Sequence, residues 1–416
     1  MSRPTRTRRR VLIFAFLLSV VTYLDRICIS VAAPYIMADL GLSVLQMSVV
    51  FSAFTLAYSL FEIPSGWLAD MRGPRRMLTR IVVWWSAFTM LTAASAGFRS
   101  LVVIRFLFGA GEAGAFPTMA RSFSRWFPRR ERGTANGVLF LGSRIGGMLS
   151  APLALLLIRH WGWRQAFIVF GTLGIAWAVA WYAWYRDRPS DHPGVNAGEL
   201  AWIEQDGESA TGAATPWRAL LASRNLHAIC GMYFAFGYGL YFYFTWLPTY
   251  LVRELGFSML AGGMFSALPF ALAGIADLAG GRVTDYLART RGLRTARCRL
   301  GFASFFTCSI LVLLSTVAPD PVAKAVLLAF ALASADFALG ACWAVCLDIG
   351  SAHAGVVTGF MNTFGNLGGL IGPLVVGFAV DRWHSWTFPF YVTAAVYAAG
   401  ALAWLVIQPD RRIAEC

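Results

Sequence analysis

The chain is 416 residues long, 58% hydrophobic and only 13% charged. A soluble domain carries about 25% charge, so this composition excludes an ordinary water-soluble protein and points to an integral membrane protein. The formal net charge is +14, but the basic residues are nearly all arginines placed between apolar runs, a pattern of membrane topology rather than of nucleic-acid binding.

The N-terminal ten residues hold five arginines, and an apolar run follows from Val11 to Tyr35. Its length, the Asp25-Arg26 pair inside it and the lack of a cleavage site predict a retained first helix rather than a signal peptide. Twelve apolar runs follow one another at about 11–35, 46–69, 79–98, 100–120, 134–158, 164–185, 226–251, 260–281, 299–318, 322–349, 355–380 and 386–408. They are long and continuous, without the two-residue alternation of a membrane β-barrel, so the spans are expected to be helices. The expected fold class is therefore an all-α membrane protein with 12 transmembrane helices in two pseudo-symmetric six-helix bundles.

The one long polar gap, Arg186–Arg224, contains Pro189, Pro193 and Pro216, the acids Glu199, Glu204, Asp206 and Glu208, and a small-residue tract from Ser209 to Thr215. That is linker composition, with room for a short surface helix at Ala197–Gln205. It divides the chain into an N-terminal bundle (1–186), a linker (187–224) and a C-terminal bundle (225–416). Arginines concentrate in alternate connections: around Arg72–Arg80, Arg121–Arg132, Arg186–Arg224 and Arg289–Arg299, and at both ends. The positive-inside rule then places both termini and the linker in the cytoplasm, and the arginine-dominated basic content favours a bacterium, hence a multi-pass protein of the inner membrane.

The halves repeat. Gly66-Trp-Leu-Ala-Asp70 after span two matches Gly281-Arg-Val-Thr-Asp285 after span eight. In span five, Gly137, Gly146-Gly147 and Pro152 match Gly359, Gly368-Gly369 and Pro373 of span eleven. Transporters are built from such repeats, with the substrate site between them near the midplane.

Charge inside a span costs about 2.5–3.5 kcal/mol at the helix centre and usually marks a substrate or ion path. Asp25 and Arg26 lie in span one, Arg105 and Glu112 seven apart on one face of span four, and Arg144 in span five. Three arginines against two carboxylates leave one surplus positive charge, which suits an anionic substrate because the guanidinium fork holds a carboxylate with two bonds. An ion pair that only locks helices together is the alternative for Asp25-Arg26, and a structural partner of an arginine is the alternative for Glu112. Tyr23 and Tyr58 suit polyol or aromatic substrates or belong to the core or the interfacial belt. Asn362 and Asn366 on span eleven either read substrate hydroxyls or bond between helices. Trp343 and Tyr241, with Tyr238, are weaker candidates against core packing. The five histidines and seven cysteines show no metal-ligand spacing or CxxC pair, so no metal or cofactor is expected. No nucleophile–base cluster or nucleotide loop is visible, which argues against an enzyme. Glu62, Asp277 and Asp336 are left without an assigned role.

Gly66-xxx-Asp70-Met71-Arg72-Gly73-Pro74-Arg75-Arg76 resembles the loop signature of the major facilitator superfamily, G-x-x-x-D-R-x-G-R-R, with Met71 in place of the first arginine. The resemblance narrows through Tyr23-x-Asp25-Arg26, Tyr58-x-x-x-Glu62-Ile-Pro64, Arg105-x6-Glu112-Ala-Gly114-x-x-Pro117, Gly142-Ser143-Arg144-Ile-Gly146-Gly147, Thr245-Trp246-Leu247-Pro248 and Asn362-Thr-Phe-Gly365-Asn366. Together these are similar to the anion–cation symporter family. That resemblance implies a proton-coupled importer of a small organic anion such as an aldonate, a hexuronate or another carboxylate, working by alternating access; a monomer is expected. It further implies that Asp25 and Glu112 carry protons, that Arg105 tunes Asp25, and that Arg26, with Arg144 as a second contact, meets the substrate carboxylate. Asp70, Arg72, Arg75, Arg76 and Asp285 are the expected gate residues. An exporter or antiporter on the same fold, and a non-transporting sensor of organic acids, are the rival functions.

Overall fold

The computed structural model describes residues 5–204, 217–350 and 354–411. All the regular elements among them are helices. The chain divides into two compact units, Met1–Leu42 with Ala53–Ala210, and Ser43–Ser52 with Thr211–Cys416.

The first unit contains α1 (Arg8–Leu40), most of α2 (Val44–Arg72), α3 (Pro74–Thr92), α4 (Phe98–Glu112), α5 (Ala115–Trp126), α6 (Arg129–Trp161), α7 (Trp163–Trp184) and the short α8 (Ala197–Glu204). The turns between them follow from local chemistry. Gly41, in the left-handed region at φ 63°, ends α1, and Pro74 at the first position of α3 fixes the backbone angle a helix needs. Spans one and five approach closely, because a Cβ on Gly146 would lie 2.8 Å from the carbonyl oxygen of Val20. The acid-rich α8 is held by a buried carboxylate. Glu199 is 0% exposed and accepts from Thr5 Oγ1 (2.5 Å), the backbone N–H groups of Thr7 (3.1 Å) and Arg8 (3.0 Å), and Arg8 Nη1 (3.2 Å). The first turn of α1 is thereby capped from the linker.

The second unit contains α9 (Trp217–Ala222), α10 (Arg224–Thr245), α11 (Leu247–Arg253), α12 (Met259–Arg291), a π turn at Thr295–Arg299, α13 (Leu300–Val317), α14 (Pro321–Phe337), α15 (Leu339–Gly350), α16 (Ala354–Trp383) and α17 (Thr387–Val406). Ser223, Ser258 and Asp320 accept N–H groups at the starts of α10, α12 and α14, the role these residue types fill best. Asp381 near the end of α16 accepts the N–H groups of Val44 and Leu45, at 3.1 and 3.0 Å. Gly368 repeats the approach of Gly146: its Cβ would lie 2.2 Å from the carbonyl oxygen of Phe234 on α10.

Counting α4–α5, α10–α11 and α14–α15 as single interrupted spans gives twelve. Ten of them are long and apolar enough to cross a membrane by composition alone, among the described residues. The other two, α3 and α10, are made more polar by Arg75, Arg76 and Arg80 and by four tyrosines respectively. Large apolar side chains point outward on most spans, including Ile13, Leu60, Val179, Ile275 and Leu402. Hydrocarbon accepts such a surface, and helices satisfy their backbone groups internally there.

Candidate anion and ion site

Neighbouring residues on a helix point about 100° apart, and span one uses this to send its two charges to different helices. Asp25 is 1% exposed and meets α3, where Trp85 Nε1 donates to its Oδ2 at 3.1 Å. Thr89, one turn along α3, acts electrostatically on the same carboxylate, and its hydroxyl donates to the Trp85 carbonyl at 3.0 Å. The other oxygen, Oδ1, is buried without a hydrogen-bond partner among the described residues. Arg26 instead meets the end of α4, where its Nε donates to Glu112 Oε1. Glu112 is 0% exposed, and its Oε2 has no hydrogen-bond partner among the described residues.

Aromatic rings line the arginine. The Arg26 guanidinium carbon is 4.7 Å from the ring centroid of Tyr58, 5.3 Å from Phe54 and 5.5 Å from Tyr23. Arg105, two turns before Glu112, lies 4.2 Å over Phe108 and 5.2 Å from Phe54. It acts electrostatically on both Glu112 and Asp25, but no carboxylate lies within ion-pair distance of it among the described residues. The first unit thus holds a buried cluster of two arginines and two carboxylates, joined by one direct ion pair and walled by Phe54, Tyr58 and Phe108. Arg144 is half-buried on α6, and Glu62 is half-buried on α2, within electrostatic reach of Tyr58.

In the second unit, Tyr241 donates its hydroxyl to Asn366 Oδ1 at 3.4 Å. Asn362 is half-buried one turn earlier. Trp343 on α15 makes an edge contact with Tyr233, 6.5 Å between centroids, and the Tyr233 ring packs on Gly365. The amides and aromatics proposed to read a substrate therefore share one neighbourhood of α10, α15 and α16.

The side chain of Asp70 lies outside the described residues. At the start of α3 the anion is Asp187 from the linker: its Oδ1 accepts the Arg75 N–H at 3.0 Å and faces Arg125 at 3.5 Å. Arg75 donates through Nε and Nη2 to the Tyr182 carbonyl at 2.9 and 2.7 Å, while Arg72 and Arg76 are exposed. Asp285 is also exposed, and Arg289 Nε bonds its backbone oxygen at 3.3 Å. The ion pair near this end of the second unit joins Arg297 to Asp348 at 2.9 Å, with Thr284 accepting from Arg297 Nη1 at 2.9 Å. Sequence reasoning passed over Trp85, Phe54, Asp187 and Arg297. For Trp85 a signal existed, since a buried indole N–H usually finds an acceptor and span one offers the carboxylate of Asp25.

These features define a membrane transporter rather than an enzyme: paired helical bundles, a charged cluster in the membrane interior and a Gly-Asp-Arg loop between spans two and three. The chain belongs to the Major Facilitator Superfamily, whose sequence profile matches residues 15–373. It is 36% identical over 413 residues to a probable sulfoacetate transporter of Cupriavidus necator, covering 98% of this chain and 96% of that one. It is 30% identical to a hexuronate transporter of Bacillus subtilis, with 94% and 93% covered, and 31% identical to a probable L-galactonate transporter of Escherichia coli, with 98% and 92% covered. Among solved structures it is similar to a bacterial homologue of the human lysosomal transporter Spinster, with a TM-score of 0.75 at 17% identity and 97% and 95% of the chains covered.

Proposed function

We propose that this chain imports a small organic anion together with protons, with both termini and the linker on the cytoplasmic side of the plasma membrane. The observation that carries the reading is the Arg26–Glu112 pair beside Asp25 and Arg105. Arg26 is a guanidinium whose direct partner is a carboxylate that can be neutralised by a proton. Protonation of Glu112 releases the edge of Arg26 for a substrate carboxylate, and loss of that proton restores the pair and expels the anion. Asp25, held by Trp85 rather than by Arg26, is a second proton carrier, and Arg105, which acts on it electrostatically, is its proposed tuning residue. Arg144 and the amides of Asn362 and Asn366 are the proposed further substrate contacts. Asp70, Arg72, Arg75, Arg76 and Asp285 are the proposed gate.

The relatives named for hexuronate, L-galactonate and sulfoacetate share a small substrate with at least one fixed anionic group, and that is the class proposed here. The test is uptake into proteoliposomes of the purified chain, acidic outside, with radiolabelled galactonate, glucuronate and sulfoacetate as probes. Accumulation of at least one above equilibrium, collapsed by a protonophore, is expected. Accumulation that ignores the protonophore, or that requires the opposite proton gradient, overturns the reading in favour of another ion or an antiporter.

A further inference from the structure

Spans four and ten are broken at corresponding places. Span four stops at Glu112 and resumes at Ala115, while span ten stops at Phe337, one residue past Asp336, and resumes at Leu339. Each break is met by the second span of its own unit. A Cβ on Gly114 would lie 2.6 Å from the Cβ of Ser65 on α2, and a Cβ on Gly280 of α12 would lie 2.0 Å from the carbonyl oxygen of Phe337. Ser65 precedes Gly66 and Gly280 precedes Gly281, so the two contacts fall on the same position of the loop-motif repeat. Glu112 and Asp336 are therefore counterparts: an acid at the break of the fourth span in each bundle, each 0% exposed.

Their surroundings differ. Asp336 sits within electrostatic reach of Tyr243 on α10, Cys308 on α13, Cys342 on α15 and Tyr397 on α17. Asp277 on α12 acts on Cys342 as well. The Tyr243 hydroxyl donates to the Leu328 carbonyl at 2.7 Å, and the buried Tyr397 hydroxyl lies beside the Cys308 thiol. Thus Asp336 lies among hydroxyl and thiol groups at a helix interruption, the kind of site where transporters bind coupling ions.

We propose that Asp336 is a further proton-exchange site beside Glu112 and Asp25, located in the second bundle and loaded at the α14–α15 break. A water-borne proton bonds to one carboxylate oxygen on one side of the membrane and returns to water on the other, with no other bond made or broken. The inference rests on the proton-coupled transport proposed above.

It is tested on the full chain in proteoliposomes by the reversal potential of substrate flux at varied pH gradients, which reads protons moved per anion. Asp336→Asn is expected to move one proton fewer than the wild type. The wild-type ratio in Asp336→Asn overturns the inference and leaves proton coupling standing, whereas a wild type whose flux ignores the pH gradient overturns the reading beneath it. Where Asp336→Asn does not fold, Asp336→Glu decides. It keeps a carboxyl group one methylene displaced, so the pH profile of counterflow is expected to move by about half a unit or more, and an unmoved profile overturns the inference.

Discussion

Arg26 can offer its Nε edge to one anion at a time, and in this structure Glu112 holds it. Competition between a protein carboxylate and a substrate carboxylate for that edge is the core of the proposed cycle. The planar fork matters as much as the charge, because a lysine at the same place is a point donor on a flexible stem. Arg26→Lys is therefore expected to raise the KM for uptake at least about tenfold, a loss of roughly 1.4 kcal/mol, with protein abundance and folding unchanged; an unchanged KM contradicts the substrate role. The sequence showed the charges but not their pairing. Arg105 and Glu112 lie seven apart on one face, yet Glu112 pairs with Arg26 and Arg105 lies against Phe108. Which of several arginines reaches a given carboxylate depends on helix rotation and on rings such as Phe54, and neither is written in spacing.

At the scale of elements, the linker is more than a tether where it is described. Glu199 ties α8 to the first turn of α1, and Arg8 bridges Glu199 and Glu131 at 3.2 and 3.0 Å. Glu199→Ala removes hydrogen bonds to charged and backbone donors worth about 1.5–3 kcal/mol for a charged pair, so the thermal midpoint of the purified protein is expected to fall by several degrees. Glu199→Gln should recover part of the loss.

His192 packs beside Trp126 and Trp184. Burial first, then Arg186 and Arg10, holds its imidazole below the usual histidine range. The unfolded chain therefore binds the extra proton first as pH falls through about 6.5. Stability contributed by neutral His192 is present above that pH and is lost on acidification. His192→Gln should flatten that part of the pH–stability curve. The short helix at Ala197 was legible from composition, but its burial was not, because nothing local reveals that Thr5 and Thr7 fold back onto it. The break at Ala113–Gly114 carried a glycine signal. The break at Ala338 has its nearest glycine two residues on, at Gly340, and is seated by Gly280 of another helix. Gly280→Ala is thus expected to displace the break and to lower transport at least about tenfold, while Gly281→Ala, with open space at its Cβ, should be tolerated; equal effects would contradict a packed break.

At the scale of the whole molecule, the twelve spans were readable because hydrocarbon demands long apolar helices, and the repeat was readable because close helix approach demands glycine at Gly146 and Gly368. The two units have diverged in chemistry. The first carries Asp25, Arg26, Arg105 and Glu112, and the second carries Tyr241, Trp343, Asn362 and Asn366. A division of labour follows in the proposed mechanism, with charge and protons handled chiefly by the first bundle and substrate shape by the second. The substrate itself is not legible from either half, since an arginine fork and neutral amides accept any carboxylate with polar substituents.

The central claim is that the proton acts through the carboxylates beside Arg26, and it is tested most directly by separating exchange from accumulation in proteoliposomes. Glu112→Gln and Asp25→Asn are predicted to retain counterflow of labelled substrate while losing accumulation driven by an inward proton gradient. Proton-driven accumulation at the wild-type rate in Glu112→Gln would contradict the account.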